Sequence, residues 1–162
     1  MAVRLVVMGI SASGKSTVGR LLAARLGLPF VDGDDLHPPA NVDKIRRGEP
    51  LTDADRAPWL DAVAAVLAGG EAVVACSALR RAYRDRLRRA GADVRFAYLA
   101  ISPAAARERA AARRHWAPPA LVETQLATLE PPGTDERDVI AVDGERPPDG
   151  IVATVLAALP RA

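Results

Sequence analysis

A lysine and a serine close the glycine-spaced stretch Gly9-Ile10-Ser11-Ala12-Ser13-Gly14-Lys15-Ser16-Thr17, and these are residue types that hold a phosphate chain. The spacing reads G-x-x-x-x-G-K-S, which cradles phosphates when a strand precedes it and a helix follows. Glycine permits backbone geometries that turn successive N–H groups inward around an anion, and the following helix adds the positive end of its dipole. Lys15 supplies a mobile cation for the outer phosphates, and the Ser16 hydroxyl stands where a magnesium ligand is needed. Gly9, Ser11, Ala12, Ser13, Gly14, Lys15, Ser16 and Thr17 are therefore the expected nucleotide-phosphate-binding set. Of 22 basic residues only Lys15 and Lys44 are lysine, so chance placement here is improbable.

Phosphoryl transfer to an alcohol also needs a group that orients or deprotonates the hydroxyl, cations for the migrating charge, and exclusion of water. Asp34 is the candidate for the first of these roles, whether it orients the hydroxyl, accepts its proton, or holds magnesium through water. Arg109 and Arg113 are the candidate cations, four residues apart on one predicted helix face. His37, before two prolines, either hydrogen-bonds its own loop or binds a polyol hydroxyl as a neutral imidazole.

The elements that must position these groups follow from periodicity. Residues 3–8 form a continuous apolar run, as in a strand buried on both faces of a parallel sheet. A helix over 15–26 has apolar residues at helical spacing, with Gly27 and Pro29 to end it. A strand over 30–32 delivers Asp34 to the crevice beside the phosphate loop, where the carboxyl ends of parallel strands face the ligand. Residues 38–70 read as a substrate-binding insertion: a short helix over 41–47, a loop, and a helix capped by Thr52 or Asp55. Further strands are expected over 71–75, 94–101 and 139–142, with helices over 80–90 and 149–159. The segment 103–130 reads as two helices forming a hairpin lid, the first broken at His115-Trp116-Ala117-Pro118-Pro119. The whole is a single α/β domain over residues 1–162, a doubly wound five-stranded parallel sheet with helices on both faces and a helical lid.

Composition narrows the function classes. At 162 residues, 49% apolar and 26% charged, the chain suits one globular core. Net charge is +2 and aromatics are 4%, which gives little support for a nucleic-acid surface. Cys76 is the single cysteine and lies in an apolar run, where an inert thiol is expected. Neither a leader nor a membrane-length apolar run is seen, so the expectation is a cytoplasmic protein that binds a small anionic molecule, with no nucleic-acid or membrane partner.

Longer blocks then become recognisable. Asp32-Gly33-Asp34-Asp35-Leu36-His37-Pro38, the Asn41 to Lys44 spacing, Gly48-Glu49-Pro50-Leu51-Thr52-Asp53-Ala54-Asp55-Arg56 and Pro58-Trp59-Leu60 resemble the signature of phosphate-loop gluconate kinases. Cys76-Ser77-Ala78-Leu79-Arg80 with Tyr83-Arg84-Asp85, and Gln125 with Thr128-Leu129-Glu130-Pro131, resemble two further blocks. The resemblance implies a nucleoside monophosphate kinase-like fold, often dimeric, that transfers the γ-phosphoryl of Mg-ATP to the 6-hydroxyl of D-gluconate. It implies that Lys15, Asp34 and Arg113 carry catalysis and that Ser16 and Asp34 serve magnesium. Asp34, His37, Arg56, Arg84 and Gln125 would then face the sugar acid, with Arg109 at adenine and Arg113 at phosphate. The lid departs from the family pattern: Arg113 is followed by Arg114-His115-Trp116, one residue short and lacking a glycine, and Thr124 and Leu126 replace the usual serine and phenylalanine around Gln125. Competing readings are a shikimate-kinase-like enzyme for another small acid or polyol, and an ATP-binding regulator without catalysis.

Overall fold

The computed structural model describes residues 2–113 and 118–161. Five strands, β1 (Arg4–Met8), β2 (Phe30–Asp32), β3 (Ala72–Ala75), β4 (Val94–Ala100) and β5 (Val139–Asp143), form one sheet in the order β2-β3-β1-β4-β5. Every pairing is parallel, with β1 at the centre in register Val6↔Val74 on one side and Val6↔Phe96 on the other. The central strand is buried on both faces because both are covered by helices. Val6 and Met8 point into one core, and Leu5 and Val7 into the other. That two-sided burial is why the strand reads as unbroken valine and leucine rather than alternation.

One face is covered by α1 (Lys15–Leu26) and α7 (Pro148–Ala158), through Val18, Leu22, Ile151 and Val155. On the other lie α3 (Asp53–Ala68) and α4 (Arg81–Arg88), with Trp59, Val63, Leu67, Tyr83 and Leu87. The short α2 (Pro39–Arg46) and the pair α5 (Pro103–Ala112) and α6 (Leu121–Thr128) complete the chain. Arg107 of α5 and Glu123 of α6 form an exposed ion pair between the two helices, 2.5 Å. Thr52 and Asp55 both cap α3: the Thr52 hydroxyl accepts from the Asp55 N–H, while the Asp55 carboxylate accepts from the Thr52 N–H. This reciprocal box satisfies two otherwise orphaned donors. Among the described residues no helix is long and apolar enough to cross a membrane.

Two expectations are corrected here. Arg109 and Arg113 do not share a helix face, because α5 ends at Ala112 and Arg113 caps it in extended conformation, φ −95° and ψ 136°. Arg84 does not face a ligand. Its guanidinium is fully buried in α4, donating to Glu136 at 2.8 and 3.0 Å and to the carbonyls of Ala78, Leu79 and Glu130. The helical period explains this: residue 84 falls on the same stripe as Tyr83 and Leu87, which packs on the sheet. The segment Arg114-His115-Trp116, on which the expected lid register turns, lies outside the described residues.

Candidate active site

The carboxyl ends of β1, β2 and β3 open into a cleft of about 480 Å³. The loop after β1 forms one end of it. Gly14 takes φ 94° at the start of α1, a backbone region that favours glycine, and the first N–H groups of the helix follow directly. Ala12 is also left-handed, φ 68°, a conformation that costs a side-chain-bearing residue roughly 1 kcal/mol or more. Of the expected nucleotide-phosphate-binding residues, Ser11, Ala12, Gly14, Lys15, Ser16 and Thr17 line the cleft. Gly9 and Ser13 belong to the same loop but do not line the cleft, and the buried Ser13 hydroxyl has no hydrogen-bond partner among the described residues.

The Lys15 ammonium donates to the Ile10 carbonyl at 2.9 Å, which folds it back over its own loop. Burial pushes its pKa below the ordinary lysine value; the charge of Asp34 opposes this and that of Arg113 adds to it. Lys15, Asp34 and Arg113 line the same cleft. The Ser16 hydroxyl donates to Asp32 at 2.9 Å, and the other Asp32 oxygen accepts from the Asp34 N–H at 3.0 Å. Asp32 therefore ties the first turn of α1 to the 3-10 turn Gly33–Leu36 that carries Asp34. Sequence reading placed Asp32 in a strand and at the head of the first signature block, with no role of its own. The overlooked signal is an acid two residues before a candidate catalytic acid, a spacing typical of a side chain capping its own turn.

The far end of the cleft is built by α2 and α3. Gly33 packs so closely on β3 that a Cβ there would lie 2.3 Å from the Ala75 carbonyl oxygen. Trp59 donates from its indole to the Gly33 carbonyl at 2.7 Å and stacks on His37, ring centres 4.3 Å apart and planes 14° from parallel. Burial, helped by the charge of Arg56, lowers the His37 pKa to about 4, so the ring is neutral at pH 7. Arg56 lines the same end, one guanidinium nitrogen held by the Leu51 carbonyl at 2.7 Å and the Tyr83 hydroxyl at 3.2 Å. Tyr83 in turn donates to Asp53. Such fixed placement suits recognition of an anionic group.

The α5–α6 pair roofs the cleft. Arg109, Arg113, Thr124 and Gln125 line it. Arg109 donates to the Ala12 and Ser13 carbonyls at 3.5 and 3.4 Å and to the Gly144 carbonyl, beyond β5, at 3.0 Å. Gln125 accepts from the Ser11 N–H at 2.5 Å, so α6 is joined to the phosphate loop. Asp34, His37, Arg56, Arg109, Arg113 and Gln125 thus converge on one cavity with the loop, whereas Arg84 lies beneath it. Cys76 is buried under the site with its thiol pushed up to about 12, and stays protonated.

A phosphate loop on a parallel α/β sheet, roofed by a helical pair and faced by an acid and arginines, defines an ATP-using phosphate-loop kinase. The sequence profile of the AAA domain matches residues 5–132. The chain is 48% identical over 158 residues to the gluconokinase of Gluconobacter oxydans, covering 94% of this chain and 88% of that one. It is 41% identical to the thermoresistant gluconokinase of Escherichia coli, covering 93% and 90%. A crystal structure of a gluconokinase from Sinorhizobium meliloti superposes with TM-score 0.90 at 46% identity, over 98% of this chain and 91% of that one. Shikimate kinase from Aquifex aeolicus, at 20% identity and TM-score 0.68, shares the fold alone. The chain belongs to the gluconokinase family, within the AAA-domain phosphate-loop proteins.

Proposed function

We propose that this chain transfers the γ-phosphoryl group of ATP to the 6-hydroxyl of D-gluconate, giving 6-phospho-D-gluconate and ADP. The observation that carries the reading is a single cleft with the phosphate loop at one end and Asp34, His37 and Arg56 at the other. An acid, a neutral imidazole and a buried arginine suit a polyhydroxylated carboxylate: arginine for the carboxylate, the ring and acid for hydroxyls.

Asp34 orients the 6-hydroxyl and takes its proton as that oxygen attacks the γ-phosphorus. The bond from phosphorus to the β,γ-bridging oxygen breaks, and the electron pair leaves with ADP. Lys15 and Arg113 neutralise charge on the transferring group, and Arg109 packs at the adenine end. The Ser16 hydroxyl, bonded to the Asp32 carboxylate in a cleft that Asp34 also lines, offers hard oxygen donors of the kind that suit a magnesium ion. Ser16 and Asp34 would hold that ion, and it would offset phosphate charge when bound. Gln125 joins the acceptor side while its contact with Ser11 keeps α6 over the loop. Use of ATP fits a cytoplasmic setting, and a homodimer belongs to the same reading.

The test is ADP release with Mg-ATP over D-gluconate, shikimate, glycerate, common sugars and nucleoside monophosphates, with Lys15→Ala as the blank. Release with gluconate alone is expected. Release with another acceptor moves the substrate assignment, and ATP binding without acceptor-dependent release moves the chain to a regulator. For Arg56→Ala we expect a rise in gluconate KM of about 10-fold or more, the scale of a lost hydrogen bond to a charged group, with ATP KM within about twofold. Steady-state titration of each substrate checks it; a loss confined to ATP would place Arg56 at the nucleotide end.

A further inference from the structure

Asn41 lies in α2, is 3% exposed, and touches His37 rather than the phosphate loop. Its side-chain nitrogen donates to the Asp55 carbonyl at 2.8 Å and lies 3.2 Å from His37 Nδ1. A backbone carbonyl only accepts, so the Asp55 contact fixes which end of the amide is nitrogen. The second hydrogen of that nitrogen is then directed to the ring. An amide NH₂ donates and does not accept, so Nδ1 must be the bare nitrogen and Nε2 must carry the proton.

We infer that Asn41 is a positioning residue that locks His37 in its Nε2-protonated tautomer, so that the ring meets the sugar acid as a hydrogen-bond donor. Stacking on Trp59 sets the plane of the ring, and Trp59 is itself anchored to Gly33. With Nδ1 taken by Asn41, Nε2 is the nitrogen left for a ligand in the cleft that His37 lines. A proton on Nδ1 would cost the ring its Asn41 bond. Two fixed donors, His37 and Arg56, then face the acceptor, a selection for oxygen lone pairs and against amines or cations. The opposite tautomer would aim a lone pair at those same oxygens. The ligand half of this inference rests on gluconate being the acceptor; the tautomer half does not.

The test begins with the full-length wild-type protein labelled with ¹⁵N-histidine, at pH 7 and without substrate. The His37 signals are those lost in His37→Gln. Long-range proton–nitrogen correlations are expected to show a bare Nδ1 and a protonated Nε2; a protonated Nδ1, or both nitrogens protonated, overturns the inference. Asn41→Ala is then expected to release the ring into a mixture of tautomers and to raise gluconate KM about 10-fold, with ATP KM within about twofold. In the His37→Gln background, where a side-chain amide replaces the ring, Asn41→Ala should add nothing to that KM. An equal loss in both backgrounds, or none in either, overturns a role exerted through His37. Should Asn41→Ala fail to fold, the wild-type spectrum alone decides the tautomer. Should gluconate prove not to be the acceptor, the spectrum stands and only the KM comparison moves to the true substrate.

Discussion

Asp34→Asn is expected to lower turnover by about two orders of magnitude or more while leaving ATP affinity nearly intact, the scale of a positioned acid or base. The substitution keeps size and hydrogen-bonding reach but removes the charge and the capacity to accept a proton. The backbone under it is over-determined: Asp32 accepts from the N–H of residue 34, Trp59 donates to the Gly33 carbonyl, and Gly33 rests against Ala75. None of these contacts depends on the Asp34 carboxylate, so the turn should hold its place in the variant. Nucleotide binding, by contrast, is built from the loop between β1 and α1, on separate backbone. Turnover measured at saturating gluconate, with ATP affinity from calorimetric titration, separates the two. Near-normal turnover would remove Asp34 from the reacting centre.

The loop, its lysine and the adjoining elements were legible because backbone rules dictate them locally. The helix over 15–26 coincides with α1, since Gly27 in left-handed conformation and the following Pro29 leave it no way to continue. The strand over 30–32 coincides with β2. Basic helices were less sharply bounded: residues 80–90 shrink to Arg81–Arg88 because Arg80 is already extended, φ −101° and ψ 149°. Nothing in an arginine-rich run marks such an end. The choice between Thr52 and Asp55 as cap dissolved for a similar reason, since a capping box uses both.

Within the site, residue types were readable and partners were not. Asp34, His37 and Arg56 come together because one sheet edge and one insertion deliver them, an arrangement their sequence blocks already suggested. Asp32, Asn41 and Trp59 each also reach an atom 16, 14 or 26 positions away, and spacing along the chain does not reveal those longer contacts. Arg84 is the opposite case. Its own helix period placed it on the apolar stripe with Tyr83 and Leu87, and an arginine there requires a buried acid. Glu136, in the turn before β5, is that acid.

Breaking this pair gives the largest stability effect we expect. Arg84→Met should cost about 3 kcal/mol, the low end for breaking a buried pair, since it takes one of two arginines from a carboxylate that is 6% exposed. Among the described residues the Glu136 carboxylate then keeps Arg88, at 2.8 Å, and the Gly133 N–H, at 2.9 Å, as partners. The Arg84 side chain also satisfies the carbonyl of Ala78, a residue held at φ 46°, so its loss leaves a strained turn without its donor. Urea unfolding at pH 7 measures the loss. The double variant Arg84→Met, Glu136→Leu should recover part of it, because no charge is then left unpaired at that position; no recovery would assign the loss to the turn alone. The pH dependence has a definite sign. Hydrogen bonding to Arg84, with further help from Arg88, holds the Glu136 pKa at about 2 against an ordinary 4.5. Its contribution is therefore fully present above pH 4.5 and lost as pH falls through about 2, and Arg84→Met should flatten wild-type stability loss over that window. The effect extends to catalysis. Arg84 donates to the Glu130 carbonyl and the Glu130 N–H to Leu79, which together hold the base of α6 and, through Gln125, its grip on Ser11. A folded Arg84→Met enzyme should thus bind ATP more weakly although the residue never touches the nucleotide.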